Sequence, residues 1–225
     1  MSDNQLEKLF VESPLPREDL LLNLGMYTRG ALLMKFLVMN DIYERIKDIP
    51  GALLEFGVGW GQNLVLLENL RAIHEPFNKQ RIIVGFDTFA GYATTDKTHV
   101  TPGNYCDYLA SLLAAHEGSN AFGHVRGNHR LVDGDAEITV PRYFKDHPET
   151  IVAMAFFDIG VYRPTKAALE TIMPALVPGS VLVFDELTGP GAPGEAIAFK
   201  EVLGGARYKI EKSRYHPSKA IVTMK

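Results

Sequence analysis

Apolar positions fall into two patterns along the 225-residue chain. In LLNLGMYTRGALLMKFLVMNDIYERI, within Glu18 to Lys47, Leu, Met and Ile recur three and four residues apart. That is the period of one helix face, and it predicts one or two amphipathic helices leading into the main body. Pro50 and Gly51 break the pattern, and four short apolar runs follow: ALLEF at 52–56, RIIVGF at 81–86, IVAMAFF at 151–157 and SVLVF at 180–184. Each is too short for a lone helix, each ends at a Gly or an acid, and helix-like stretches separate most of them. A parallel sheet with crossover helices requires this alternation. HRLVDGD at 129–135 is a weaker strand, and past Gly204 the segments ARYKIEKSRY and KAIVTMK read as a closing hairpin. The expected fold is α/β, a Rossmann-like and mostly parallel sheet with helices on both faces and a C-terminal antiparallel hairpin. A helical lead-in over 1–50 and one domain over 51–225 are expected, with an insertion at about 91–127 in which YLASLLAAHE looks helical.

The turn after the first strand, LLEFGVGWGQN, carries the first chemical signal. Gly57, Gly59 and Gly61 would let a ligand approach the main chain, and the start of the next helix offers free N–H groups. The spacing is not the G-x-G-x-x-G of dinucleotide sites, and no phosphate-cradling P-loop occurs. It fits the acid-x-G-x-G-x-G turn of S-adenosylmethionine (SAM) binders, with Glu55 as the acid and Asn63 at the helix start. Asp87, closing the next strand beside Thr88, is placed to accept hydrogen bonds from a ribose diol. Gly134 and Asp135, after the weaker strand, are candidates for an adenine-contacting loop, or an ordinary Asp-Gly turn.

Two later strands end in acids, Asp158 on one and Asp185 with Glu186 on the other. Neighbouring strands lie ~4.8 Å apart. If these two pair, their carboxylates come within range of one hard cation, and oxygen ligands without a thiolate favour magnesium, manganese or calcium. A helix cap is the structural alternative for Asp158.

Composition narrows the ligand class. A net charge of −4 speaks against nucleic acid, and 46% hydrophobic with 22% charged residues is ordinary for a globular protein. Cys106 is the single cysteine, which rules out an internal disulfide and suits a reducing compartment. The start MSDNQLEKLF resembles no leader, and no run reaches membrane-span length. A cytoplasmic protein acting on a small molecule, without a membrane or nucleic-acid partner, is expected.

The stretches EFGVGWGQN, GFDTFAGY, VDGDAEIT, FDIGVYRPTKAALETIMPALVPGSVLVFDEL and GAPGEAIAFKEVLG resemble the class I SAM-dependent methyltransferases. Within them, the chain is similar to the macrocin-type sugar O-methyltransferases of natural-product pathways and their relatives in surface-polysaccharide gene clusters. The resemblance implies O-methylation of a hydroxyl on a sugar or glycosylated small molecule, and a homo-oligomer. It implies SAM on Glu55, the three glycines and Asp87, and a divalent cation on Asp158, Asp185 and Glu186. The family often has Asp-x-Asp where this chain reads Asp158-Ile159-Gly160, and Asp-Asp where it reads Asp185-Glu186. Asp158 is the candidate proton acceptor, and His116 in the insertion is the histidine to test as a base. Tyr27 and Arg29 could close over the methionine end of SAM or lie on a solvated helix face, Trp60 could pack on the following helix or form an aromatic wall beside the ligand, and Glu195 marks a helix start, where an acid favours the dipole. An NAD(P)-linked oxidoreductase and a non-catalytic SAM or metal sensor are the rival readings. The first is disfavoured by the glycine spacing and by the lack of a Tyr-x-x-x-Lys pair.

Overall fold

The computed structural model describes residues 2–93, 98–100, 103–119, 128–189 and 193–225. Three helices lead in: α1 (Ser2–Val11), α2 (Arg17–Leu22) and, after a 3-10 turn, α3 (Gly30–Ile46). The domain then runs through β1 (Ala52–Phe56), α4 (Gln62–His74) and β2 (Ile83–Asp87). In the expected insertion stand a short antiparallel pair, β3 (Gly91–Ala93) and β4 (Thr98–Val100), and α5 (Tyr105–Ser119). Next come β5 (His129–Asp133), α6 (Ala136–Asp146), β6 (Val152–Phe157), α7 (Tyr162–Ile172), β7 (Leu176–Phe184) and α8 (Pro193–Leu203). The hairpin of β8 (Tyr208–Lys212) and β9 (Ala220–Met224) closes the chain.

Seven strands form one sheet in the order β5-β2-β1-β6-β7-β9-β8, parallel except where β9 pairs with β7 and with β8. Every predicted strand is present, and the expected α/β fold with its terminal hairpin holds. The central strands β1 and β6 are buried at every position, which is why they read as unbroken apolar runs rather than as alternation. Side chains of α3, α4 and α5 pack one face, and those of α6, α7 and α8 pack the other. Among the described residues no helix is long and apolar enough to cross a membrane. Arg81, 2% exposed, fastens the lead-in to the sheet. Its guanidinium donates to the carbonyls of Ile46, Lys47, Ile49 and Gly51 and to the Glu75 carboxylate.

Four adjacent strands carry phenylalanines in register, at the last residue of β1, β6 and β7 and the last but one of β2: Phe86 opposite Phe56, Phe56 opposite Phe157, and Phe157 opposite Phe184. Their ring centroids lie 5.1, 4.8 and 4.8 Å apart along that row, and Phe199 of α8 meets Phe184 edge-on at 5.4 Å. Phe56 and Phe157 are fully buried. Removing a core Phe costs about 3–5 kcal/mol through lost transfer energy and the residual cavity. Phe157→Ala is therefore expected to lower the urea midpoint by that equivalent without changing the slope, measured by circular dichroism, whereas Phe→Ala at the exposed Phe77 is expected to leave it unmoved.

Candidate active site

The residue after each phenylalanine stands on one rim: Asp87, Gly57, Asp158 and Asp185. Backbone pairing carries into it, since Gly57 N donates to Phe86 O, Asp158 N to Phe56 O and Asp185 N to Phe157 O, at 2.9–3.1 Å. The rim is level because parallel neighbours end together.

Gly57, Gly59 and Gly61 all adopt positive φ, +87°, +53° and +75°, but they do different work. A Cβ on Gly57 would lie 2.2 Å from the Asp158 carbonyl oxygen, and one on Gly61 would lie 2.4 Å from a Leu109 methyl. Those two glycines let the turn sit against β6 and α5. At Gly59 a Cβ would meet nothing within 4 Å, so this is the glycine with room for a ligand. Glu55, 1% exposed, accepts a 2.7 Å hydrogen bond from Asn63 Nδ2. Its second oxygen, Oε2, and Asn63 Oδ1 are buried without a hydrogen-bond partner. Buried acceptors are rarely left so. Two of them beside the glycine turn fit a ligand bearing a strong donor, as the methionyl ammonium of SAM is. Burial raises the Glu55 carboxyl to about 8; the Asn63 bond opposes that rise, while Asp158 adds to it.

Asp87 organises the neighbouring loops. Its Oδ2 accepts from Gly59 N and its Oδ1 from Phe89 N, each at 2.9 Å, while Gly134 N donates to its carbonyl. Each carboxylate oxygen keeps a second lone pair that a ribose hydroxyl can use. Phe89, bent by this bond, is the one non-glycine residue at positive φ among those described. Thr88 and Asp135 are exposed on this side of the rim. Thr88 Oγ1 accepts from Ala90 N, and Asp135 caps α6 through Glu137 N. Trp60 is half exposed, with Tyr105 of α5 edge-on at 4.7 Å. Tyr105 also donates to the Trp60 carbonyl, which anchors the start of α5 at the rim.

His116 does not belong to the site. It lies eleven residues along α5 from Tyr105, and its neighbour Glu117 accepts from Asn128 N and from Arg71, at the entry to β5. At ~1.5 Å per residue the helix carries His116 to the opposite rim.

Asp158 and Asp185 do come together, close enough for each carboxylate to act on the other. Although Asp158 keeps a solvent-facing surface, surrounding protein raises its carboxyl to about 6. Asp185 adds to the rise and Lys219 opposes it. Asp158 is not a helix cap, because Val161 occupies that place in α7 without a side-chain bond. Glu186 departs from expectation: it is exposed and does not close a three-acid set with the other two. The chain turns directly after Asp185, with Gly189 N donating to Glu186 O. Among the described residues the one group of three such side chains with ligand atoms within 4.8 Å of one another is Glu68, Glu117 and His129. Arg71 already bridges its two carboxylates, at 2.6 and 3.1 Å, making a buried ion network at the far rim.

Two residues have roles at the acid pair that the sequence did not suggest. Glu195, 1% exposed, accepts from Gly160 N at 3.2 Å and Glu186 N at 3.4 Å, so one carboxylate ties the two acid-bearing turns together. Burial raises it to about 7. Its seat depends on Gly194, where a Cβ would lie 2.5 Å from Tyr162 N. Lys219, just before β9, donates its ammonium to Asp185 Oδ1. The Gly-Glu pair in GAPGE was visible in the sequence, but nothing there linked it to residues 160 and 186.

A cavity of about 640 Å³ adjoins the glycine turn through Gln62, lined by Phe10, Leu24, Tyr27, Arg29 and Phe36 among others. Tyr27 and Arg29 thus face a cavity rather than forming a plain solvated helix face.

Over 98% of its length the chain is similar to CalS11, a TDP-rhamnose 3'-O-methyltransferase of calicheamicin biosynthesis, with 42% identity and a TM-score of 0.88 over 91% of that chain. A second CalS11 structure gives 40% identity and a TM-score of 0.89, covering 98% of this chain and 90% of that one. The O-methyltransferase NovP shares the fold, at 14% identity and a TM-score of 0.63 over 85% of this chain and 79% of its own. No family model and no curated protein sequence matches.

The Glu55 carboxyl yields a signed expectation. Its folded value, about 8, exceeds the ordinary 4.5. Its contribution to stability is therefore full below pH 4.5 and is lost as pH rises to about 8, where the folded form also ionises. Glu55→Gln lacks that proton, so the ligand-free variant is expected to lose less stability than the wild type between pH 5 and 8 in denaturant titrations. Parallel curves would remove Glu55 as a buried acid.

Proposed function

The chain belongs to the sugar O-methyltransferase family of class I SAM-dependent methyltransferases, and from that membership we propose that it methylates a hydroxyl of a sugar or glycosylated small molecule. A nucleotide sugar is the first acceptor to offer, since CalS11 is a TDP-rhamnose 3'-O-methyltransferase. The single observation that carries the reading is the placement of the orphaned Glu55 and Asn63 acceptors one strand away from Asp158.

When bound, SAM supplies an electrophilic methyl group on a sulfonium. The chain's own residues would do the rest. Glu55 and Asn63 receive the methionyl ammonium, Asp87 accepts from the ribose diol, and Gly59 leaves the approach open. Thr88, Gly134 and Asp135 border the adenine side. A sugar hydroxyl is a poor nucleophile at neutral pH; Asp158, raised to about 6, remains mostly ionised there and is the group to take its proton as the oxygen is methylated. The cavity is of the size a glycoside needs.

A divalent cation, magnesium first, is the finer part of the proposal. Asp158 and Asp185 fit it as a carboxylate pair whose mutual repulsion a cation relieves, while Glu186 stands outside the pair. Such an ion would orient a vicinal diol and make its hydroxyl more acidic.

Incubation with labelled SAM and a panel of nucleotide sugars and glycosides, with and without magnesium, is expected to give a monomethylated product by mass spectrometry. Asp158→Asn is expected to lower kcat by about 10²–10⁴, the usual worth of a positioned base, with S-adenosylhomocysteine affinity unchanged in calorimetry. Tight SAM binding without transfer to any acceptor would favour a sensor, and full turnover in chelator would remove the cation.

A further inference from the structure

Lys219 reaches the acid pair through the register of the closing hairpin. Ala220 of β9 lies opposite Phe184 of β7, so the preceding residue, Lys219, stands level with the following one, Asp185. Ser213 N donates to Lys219 O at 2.9 Å and fixes the hairpin at that point. A lysine at such an edge ordinarily extends its ammonium into water. This side chain is only 12% exposed; its Nζ donates to Asp185 Oδ1 and stands 5.5 Å from the Phe156 ring centroid. Its charge also opposes the rise of Asp158. The ammonium therefore occupies an oxygen of one of the two carboxylates left to hold a divalent ion, Glu186 being exposed and apart from them.

We propose that Lys219 is the resting counter-ion of the acid pair and competes with a divalent cation for Asp185, so that metal binds only as the ammonium releases Oδ1. This rests on the cation part of the function proposed above. It makes Lys219 a positioning residue. With the ion absent it holds Asp185 and offsets the repulsion from Asp158; with the ion present that service is redundant, and the lysine costs affinity. Glu195, fixed by Gly160 N and Glu186 N, keeps the two turns in place in either state.

The test is manganese binding by the full chain, read from loss of the free-ion electron paramagnetic resonance signal. Lys219→Met removes the charge and keeps an apolar stem over Phe156; Lys219→Arg keeps the charge; Asp185→Asn removes the shared ligand. Circular dichroism verifies that each variant folds. A charge-assisted hydrogen bond is worth enough that Lys219→Met is expected to bind manganese at least about tenfold more tightly than the wild type. Lys219→Arg is expected to stay near wild type, and Asp185→Asn to bind none. If Lys219→Met binds no more tightly than wild type while Asp185→Asn abolishes binding, the competition is refuted and the metal site stands. If neither wild type nor Lys219→Met binds manganese, the metal site falls and the competition with it.

Discussion

The row of phenylalanines at the ends of β2, β1, β6 and β7 is the constraint from which the site follows. Side chains in a strand alternate between faces, so a slip of one residue in any of these pairs would move a Phe from one packed face to the other and shift the residue after it along the rim. Burial of the rings thus fixes the register, and the register fixes the acids. Phe199 of α8 extends the row beyond β7, which brings the start of that helix, and Glu195 with it, to the same rim. The catalytic geometry is set by apolar packing one residue below the charges.

That placement concentrates like charge. Burial first, and repulsion from neighbouring acids after it, raises the carboxyls of Glu55, Asp158 and Glu195: Asp158 acts on Glu55 and Glu195, and Asp185 on Asp158 and Glu195. Lys35 and Lys219 offset part of it. An acidic rim of this kind is unfavourable for the empty protein and favourable for cationic ligands. Both the ammonium and the sulfonium of SAM carry positive charge, so the donor relieves the repulsion that the fold creates. The far rim shows the contrasting solution: Glu68 and Glu117 are equally buried, but Arg71 is built in to pair them.

The strands, the glycine turn and the acids were legible because each is a local signal. A short apolar run ending in Gly or Asp announces a parallel strand and its ligand edge without knowledge of any partner. What was not legible depends on contacts distant in sequence. Lys219 meets Asp185 across 34 residues, through an antiparallel register that hydrophobicity does not specify in a hairpin whose β8 is half polar. Glu195 looked like an acid favouring a helix dipole, and it is one; its hold on two loops depends on how closely Gly194 allows α8 to approach α7. His116 was misplaced because a helix was recognised without its direction. Once Tyr105 is seen at the rim, a histidine eleven residues on must lie at the other end. Glu186 was grouped with Asp185 by the family resemblance, whereas here it is exposed and does not close a set with the other two acids.

The rim also divides by function. On the side of β1, β2 and β5, backbone groups and glycines dominate, and the acids Glu55 and Asp87 have hydrogen bonds to Asn63, Gly59 and Phe89 that hold the loop in shape. On the side of β6, β7 and β9, side-chain carboxylates face one another with a single ammonium between β7 and β9. The first half is suited to gripping a ligand of fixed structure, the second to handling a proton. Gly57 joins them: a Cβ there would lie 2.2 Å from the Asp158 carbonyl oxygen, so only glycine lets the turn rest against the end of β6. That contact explains why the first glycine of the turn is required by the sheet itself, before any ligand is considered.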